Sequence, residues 1–221
     1  MIGMTSMYNS NTPAGERLFP VALLTLSGGL QDAYTYFCRG HVFANAQTGN
    51  IVLLGQSLFS GSLSQAGRYL LPLLAFALGV AAAEYVRTRP NRRLGWQQQV
   101  LLWEIALLAA VGFLPPSMDL AANALVSFSC AMQVQAFRRV EGFAFASTMC
   151  IGNLRSGMEA LCAFVRDGDR QEWRKARLYF FVIVLFALGA EAGSLAVELL
   201  DLPAIWLSCA LLALGLLFQK E

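Results

Sequence analysis

The chain has 221 residues, of which 57% are hydrophobic and 14% are charged, with a formal net charge of +2. A soluble domain carries nearer a quarter charged residues, so this composition excludes an ordinary soluble protein. The charges are clustered and leave long uncharged runs, which predicts an all-α, polytopic helical bundle whose main partner is the lipid bilayer. The Lys/Arg clusters are short and lie between these runs. We therefore interpret them as topology signals and expect no nucleic-acid partner.

The chain begins with a polar stretch, residues 1–16, which predicts a flexible tail ahead of a single membrane domain over residues 17–221. A helix needs about 20 mostly apolar residues to cross a bilayer. Two stretches, about 42–60 and 143–165, are apolar but carry polar residues at their middle. The more uniform candidates for spans are roughly 18–37, 69–86, 98–114, 120–137, 178–197 and 203–218.

The positions of the basic residues predict how these segments cross the membrane. Basic clusters at 87–93, 138–139 and 166–177 mark cytoplasmic loops, whereas the loops near 115–119 and 198–203 contain no Lys or Arg. If 143–165 crossed completely, two basic loops would lie on opposite sides. Re-entry of both polar-centred segments instead predicts six spans, with both termini cytoplasmic. The alternative is that both segments are ordinary tilted helices, giving seven or eight spans.

The chain also contains signs of an internal repeat. Gly49-Asn50 and Gly152-Asn153 each open a similar run, and Phe76-Ala77-Leu78-Gly79 recurs as Phe186-Ala187-Leu188-Gly189. Gln135 follows Asp32 at the same spacing as the Gly-Asn pairs. With three spans in each half, the second copy must be inverted relative to the first. We therefore predict an inverted repeat of about 18–114 and 120–218, an architecture found in transporters.

The two Gly-Asn pairs suggest broken helices. Glycine lowers helix propensity, and Asn50 and Asn153 are good candidates for helix N-caps. A helix starting at each asparagine would direct N–H groups toward the membrane interior. Non-helical backbone at that depth is tolerated only inside protein or beside a water-filled cavity.

The polar residues of these segments are the candidate substrate-binding site, which we expect near the midplane. Asp32 is an intramembrane carboxylate, which by default marks function, although a capped structural aspartate is the alternative. Arg155 is expected to pair with Asp32 or with Glu159, or else to extend toward the cytoplasmic surface. The predicted site residues are Asp32, Gln47, Thr48, Asn50, Gln133, Gln135, Asn153 and Arg155.

No pattern of residues indicates catalysis. The single histidine and the dispersed cysteines give no metal-ligand spacing, and no Ser-His-Asp arrangement, H-E-x-x-H motif or P-loop occurs. We therefore predict no catalytic residues, no metal and no cofactor, and we expect the protein not to be an enzyme. Glu104 is interpreted as interfacial because it lies near Trp96 and Trp103, and Glu191 as a second-site carboxylate.

The stretch LSGGLQDAYTYFCRGHVFANAQTGNIVLLG resembles the YoaK-type family of bacterial inner-membrane proteins, whose domain is of unknown function. The resembling positions are Gly29, Asp32, Ala33, Thr48, Gly49 and Asn50. In the second half, MQVQAFRRVEGFAFASTMCIGNLRSG resembles the family's other motif region. The resemblance covers about 20–218 and implies a multi-span protein, but no activity, substrate or site.

Two functions remain open from the sequence. The first is a small transporter or channel for a small polar solute or ion, with the site between the two Gly-Asn segments. The second is a non-transporting scaffold or accessory subunit, in which the same polar residues satisfy one another and leave no cavity. Either function is compatible with a homo-oligomer.

Overall fold

The computed structural model describes residues 13–89 and 94–219, and in this part the chain is a bundle of eight α-helices. The predicted all-α bundle is what the structure shows. Most of the predicted tail lies outside the described residues, as do Arg92 and Arg93 of the first basic loop. In chain order the helices are α1 (Leu18–Cys38), α2 (Gln47–Phe59), α3 (Leu63–Thr88), α4 (Trp96–Val111), α5 (Asp119–Ala136), α6 (Cys150–Asp167), α7 (Arg170–Leu200) and α8 (Ile205–Leu217).

A small β-hairpin, which we did not predict, follows α5. Strand β1 (Arg139–Val140) pairs antiparallel with β2 (Phe143–Ala144). Tyr179 of α7 donates a hydrogen bond to the backbone oxygen of Ala144, at 2.5 Å, and so ties the hairpin to the bundle. Each strand has only two residues, which is too short to give a recognisable alternation of hydrophobic and polar residues in the sequence.

Within the described residues, two helices are long and apolar enough to cross a membrane by length and composition, namely Leu63–Thr88 and Arg170–Leu200. Helices α4 and α8 are shorter, with 16 and 13 residues. Large apolar side chains are exposed around the bundle, for example Phe59, Leu63, Ile151 and Val165, each more than three-quarters exposed. Such a surface is unfavourable in water and suits contact with lipid.

The helix directions define two ends of the bundle. Arg39, just after α1, bonds the backbone oxygen of Val111, so α1 and α4 finish at the same end, here called the upper end. Gln97, near the start of α4, bonds Ala136 at the end of α5, which marks the lower end.

Two hairpins of helices lie at opposite ends. Helix α2 is joined to α3 through Gly61 and α6 to α7 through Gly168, and both glycines have φ of 71°, a left-handed conformation that ends a helix readily. In the second hairpin, the side chain of Asp169 then caps α7 by accepting the N–H of Gln171.

The contacts between helices follow a reciprocal pattern. Helix α1 packs on α7 and α8, and α5 packs in the same way on α3 and α4. Helices α2 and α6 are peripheral, packing on α3 and α7 respectively. Helices α4 and α8 pack on each other, and α1 touches α5. The core therefore lies where α1, α4, α5 and α8 meet.

Candidate functional site

The first non-helical segment, residues 39–46, reaches the middle of α1. The backbone N–H of Asn45 donates to Oδ1 of Asp32 at 2.7 Å, and its side chain donates to the backbone oxygen of Gly28 at 3.3 Å. Gly28 is the eleventh of the 21 residues of α1. The chain therefore leaves the upper end, descends to about half the depth of α1 and only then begins α2.

The second non-helical segment, residues 145–149, approaches the same place from the lower end. The methyl group of Thr148 packs against Gly28, in the space that a side chain there would occupy. Gln133 donates to the hydroxyl of Ser147 at 3.1 Å and to the backbone oxygen of Leu24 at 3.3 Å. The two segments therefore meet beside Gly28. We call this place the junction; its residues are Gly28, Asp32, Asn45, Gln133, Ser147 and Thr148.

The two motif asparagines make the same pair of bonds in the two halves. Asn50 accepts the N–H of Phe43 at 3.1 Å and donates to its oxygen at 2.7 Å. Asn153 accepts the N–H of Ala146 at 3.4 Å and donates to its oxygen at 2.7 Å. The N-cap prediction is wrong, because α2 and α6 begin three residues before each asparagine. Each asparagine instead bonds, through its side-chain amide, both the backbone N–H and the backbone oxygen of the residue seven positions earlier, which lies in a non-helical segment.

Replacing either asparagine by alanine should lower stability. Asn50→Ala would leave the N–H and oxygen of Phe43 without their partner, at a cost of about 1–3 kcal/mol. Asn153→Ala should cost a similar amount for the same reason. Thermal unfolding of the purified protein in detergent measures this, with Gln56→Ala on the exposed face of α2 as the control. If Asn50→Ala lowered the stability no more than Gln56→Ala, the role of Asn50 in holding the backbone of Phe43 would be contradicted.

A second buried polar cluster lies on another face of α1, against α4, α5 and α8. The amide nitrogen of Gln31 lies within hydrogen-bonding distance of Ser27, Ser208 and Glu104, and its oxygen accepts from the thiol of Cys130. All five side chains are buried. The interfacial interpretation of Glu104 is wrong, because the α4–α8 contact encloses it and leaves it fully inaccessible to solvent.

The other predicted site residues lie in several places. Gln47 donates to Ala44 and accepts from Asn50, so it belongs to the local bracing of α2. Thr48 is exposed on the surface of α2. Gln135 bonds Glu84 at the lower end. The predicted convergence on one buried region is therefore wrong for Thr48 and Gln135.

Arg155 also lies away from the junction. Its side chain is 80% exposed and pairs with Glu159 at 2.9 Å, four residues later on α6. The predicted alternative of an i, i+4 pair is confirmed, and the pairing with Asp32 is wrong. The physical reason is the orientation of α6: Asn153 and Gly157 lie on its buried face, and Arg155 lies on its exposed face. Glu191, interpreted as a second-site carboxylate, is likewise exposed.

A cavity of about 400 Å³ opens at the lower end. Its polar lining mixes carboxylates, amides and guanidinium groups, and Glu84 pairs there with both Arg87 and Arg138. The cavity is lined by Glu16, Glu84, Arg87, Trp96, Gln97, Gln135, Ala136, Arg138 and Arg139.

A buried arginine at the upper end was missed by the sequence analysis. The side chain of Arg39 is inaccessible to solvent and pairs with Asp119 at 3.0 Å. It also donates to the hydroxyl of Tyr34 and to the backbone oxygens of Val111 and Pro115. The sequence did contain a signal for this pair. Arg39 is a single arginine directly after an apolar run, and Asp119 is the one charged residue of the loop near 115–119.

Comparisons with known proteins identify the family of the chain and a transmembrane relative. The model of the family described as "Protein of unknown function (DUF1275)" matches residues 21–218. The chain belongs to this family. It is also 28% identical over 197 residues to the UPF0700 transmembrane protein YoaK of Bacillus subtilis (strain 168), covering 84% of this chain and 86% of that protein. No solved structure matches it. The protein is thus a YoaK-like transmembrane protein, and the resemblance in sequence is confirmed.

Proposed function

We propose that this protein is a small transporter or channel for a small polar solute or ion in the bacterial inner membrane. The observation that carries the proposal is the junction. Two polar, non-helical segments enter from opposite ends of the bundle and meet beside Gly28, halfway along α1. Backbone of this kind at membrane depth is costly unless it is buried in protein or lines a pathway, and transporters build their sites from it.

Unpaired polar atoms at the junction support this function. Oδ1 of Asn45 and Oε1 of Gln133 are buried and have no hydrogen-bond partner in the described part of the chain. A buried oxygen without a partner costs about 1–3 kcal/mol. A permeating water, cation or hydroxyl-bearing solute would bind to these oxygen atoms, as ions bind to carbonyl oxygens in selective pores.

We propose further that residues 18–114 and 120–218 are inverted copies related by about 180° around an axis in the membrane plane. The reciprocal packing of α1 on α7 and of α5 on α3 supports this. So does the alignment of buried positions: four of the five in α3 recur in α7 110 residues later, and four of the five in α4 recur in α8 104 residues later. The matched pairs are Ala66/Ala176, Pro72/Val182, Gly79/Gly189, Ala83/Gly193, Leu101/Ile205, Glu104/Ser208, Leu108/Leu212 and Val111/Gly215.

The proposed topology has six spans, two re-entrant helices and both termini in the cytoplasm, with the lower end inside. Single cysteines introduced at Gln171 and Ser64, in a background without the native cysteines, test it. Both are exposed next to a hairpin turn. We expect a membrane-impermeant maleimide added to intact cells to label Ser64→Cys but not Gln171→Cys. External labelling at position 171 would contradict re-entry of the second half.

A scaffold is the second candidate, and one observation favours it. Gln31, Ser27, Ser208 and Cys130 are satisfied largely by one another, and Asp32 accepts a backbone N–H, as a structural cap would. A protein whose polar residues only join helices would carry no flux.

Flux measurements separate these functions. The protein in liposomes is exposed to gradients of glycerol, urea, K⁺ or H⁺, and uptake is followed by light scattering or an enclosed dye. We expect flux of at least one of these above protein-free vesicles. Asp32→Asn should reduce it at least tenfold, because the change removes the charge at the junction but little volume. Glu191→Gln, at an exposed carboxylate of α7, should leave the flux unchanged. No flux above protein-free vesicles in any of the three proteins would favour the scaffold, whereas equal flux in all three would contradict the role of Asp32 in transport.

A further inference from the structure

Glu104 stands at the centre of the bundle. It is the ninth of the 16 residues of α4 and faces α8 and α1, where the two halves of the protein meet. Its side chain is inaccessible to solvent. Oε1 accepts from the amide of Gln31 at 3.1 Å, and Oε2 is buried without any partner in the described part of the chain.

The surroundings of Glu104 contain no compensating positive charge. Helix α1 presents the neutral side chains of Ser27 and Gln31, and α8 presents Ser208. The titratable groups that face Glu104 are the thiols of Cys130 on α5 and Cys209 on α8, which carry no positive charge in either form. Within the described residues, Gln31 is the one side chain that donates to this carboxyl.

Two other carboxyl groups of the helices do have compensating partners. Asp32 accepts a backbone N–H at 2.7 Å, and Glu84 pairs with two arginines. An uncompensated carboxylate in a dry interior is far too costly to persist, so a cation must accompany it. The amide of Gln31 donates to Oε1, which leaves the unpartnered Oε2 as the position for a bound proton, and an N–H donor cannot coordinate a metal ion.

We propose that Glu104 is a proton-binding site that couples proton movement to transport, an inference that rests on the proposed function. A proton from water bonds to Oε2 of the carboxylate, giving a neutral carboxylic acid. Its release returns the carboxylate and requires the α4–α8 contact to open to water. Gln31 bonds Glu104 and lies on α1 next to Asp32. A change in the protonation of Glu104 is therefore transmitted to the junction through α1.

Infrared spectroscopy of the purified protein in lipid nanodiscs tests the site directly. We expect at neutral pH the carbonyl band of a protonated carboxyl. It should shift in protein labelled with ¹³C-glutamate, and be lost in Glu104→Gln but retained in Asp32→Asn. The isotope label needs no mutation, so the test holds even if the variant does not fold. No band that shifts with the label would overturn the proposal. Loss of the band when NaCl replaces choline chloride would assign the site to an alkali cation instead.

Flux measurements distinguish failure of this site from failure of the proposed function. In liposomes, a proton gradient should accelerate transport by the wild type but not by Glu104→Gln. Transport that responds to the gradient equally in both proteins would overturn the coupling while leaving transport intact. A glutamate band together with no flux of any solute would overturn transport, and coupling with it, while leaving the bound proton.

Discussion

Gly189→Ala is expected to destabilise the bundle severely. Helices α1 and α7 are in backbone contact there, and a Cβ atom at Gly189 would overlap the backbone oxygen of Leu26. Gly29 on α1 makes the reverse approach toward Phe186 and Ala190. Backbone cannot rotate away as a side chain does, so the helices must separate. Overpacking of this kind costs about 1–3 kcal/mol, and we expect the upper part of this range.

The measurement is thermal unfolding combined with the yield of monodisperse protein after extraction. Gly79→Ala should behave alike, because a Cβ there would overlap the backbone oxygen of Phe128 on α5. Gly152→Ala is the matched control: it is also helical, but nothing lies within 4 Å of its added Cβ. Since alanine has the higher helix propensity, this variant should be unchanged or slightly more stable. Equal losses at all three glycines would contradict the proposed close approaches.

Arg39→Met is expected to produce the second large effect. Methionine keeps much of the apolar stem but removes every donor of a guanidinium that bonds Asp119, Tyr34, Val111 and Pro115. These groups tie the end of α1 to the loop between α4 and α5. Removing one member of a buried ion pair costs about 3–5 kcal/mol. Because the side chain of Asp119 is 30% exposed, water will partly replace its lost partner, and we expect about 3 kcal/mol.

Arg155→Met is the comparison for Arg39. This pair is exposed on α6, and exposed pairs of this kind contribute little to stability, so we expect no measurable change in thermal unfolding. Had Arg155 instead paired with Asp32 in the membrane interior, as the sequence also allowed, its loss would have been costly. A loss at Arg155 as large as that at Arg39 would mean that the assembled protein buries α6 against another surface, as a homo-oligomer would.

The close approaches at Gly79 and Gly189 also explain why the repeated tetrapeptide stands where it does. In each half it lies on the long helix that packs on the first helix of the other half. Lipid offers no hydrophobic force to join helices, so small residues that permit backbone contact carry much of the packing. The repeated tetrapeptide therefore has a physical role at these two glycines, whichever function the junction serves.

The sequence by itself determined the class of protein and the order of its helices. Long apolar runs separated by charge clusters predicted where the helical segments lie, because hydropathy acts along the chain and needs no knowledge of neighbours. The bounds were less accurate: α3 and α7 begin six and eight residues before the predicted spans 69–86 and 178–197. The Gly-Asn pairs also marked the two broken segments correctly. A local signal was present in each case: polar residues inside an apolar run.

Only the tertiary structure decided which polar residues meet. Gln31 and Asp32 are neighbours in sequence, yet one joins Glu104 and the other holds Asn45, because successive residues of a helix point about 100° apart. For a similar reason Arg155 is exposed and Glu104 is buried, although Arg155 was a candidate site residue and Glu104 was expected at the interface. Their burial depends on which side of α6 or α4 faces the bundle, and helix rotation is set by packing against α7, α8 and α1 rather than by any pattern within the helix itself.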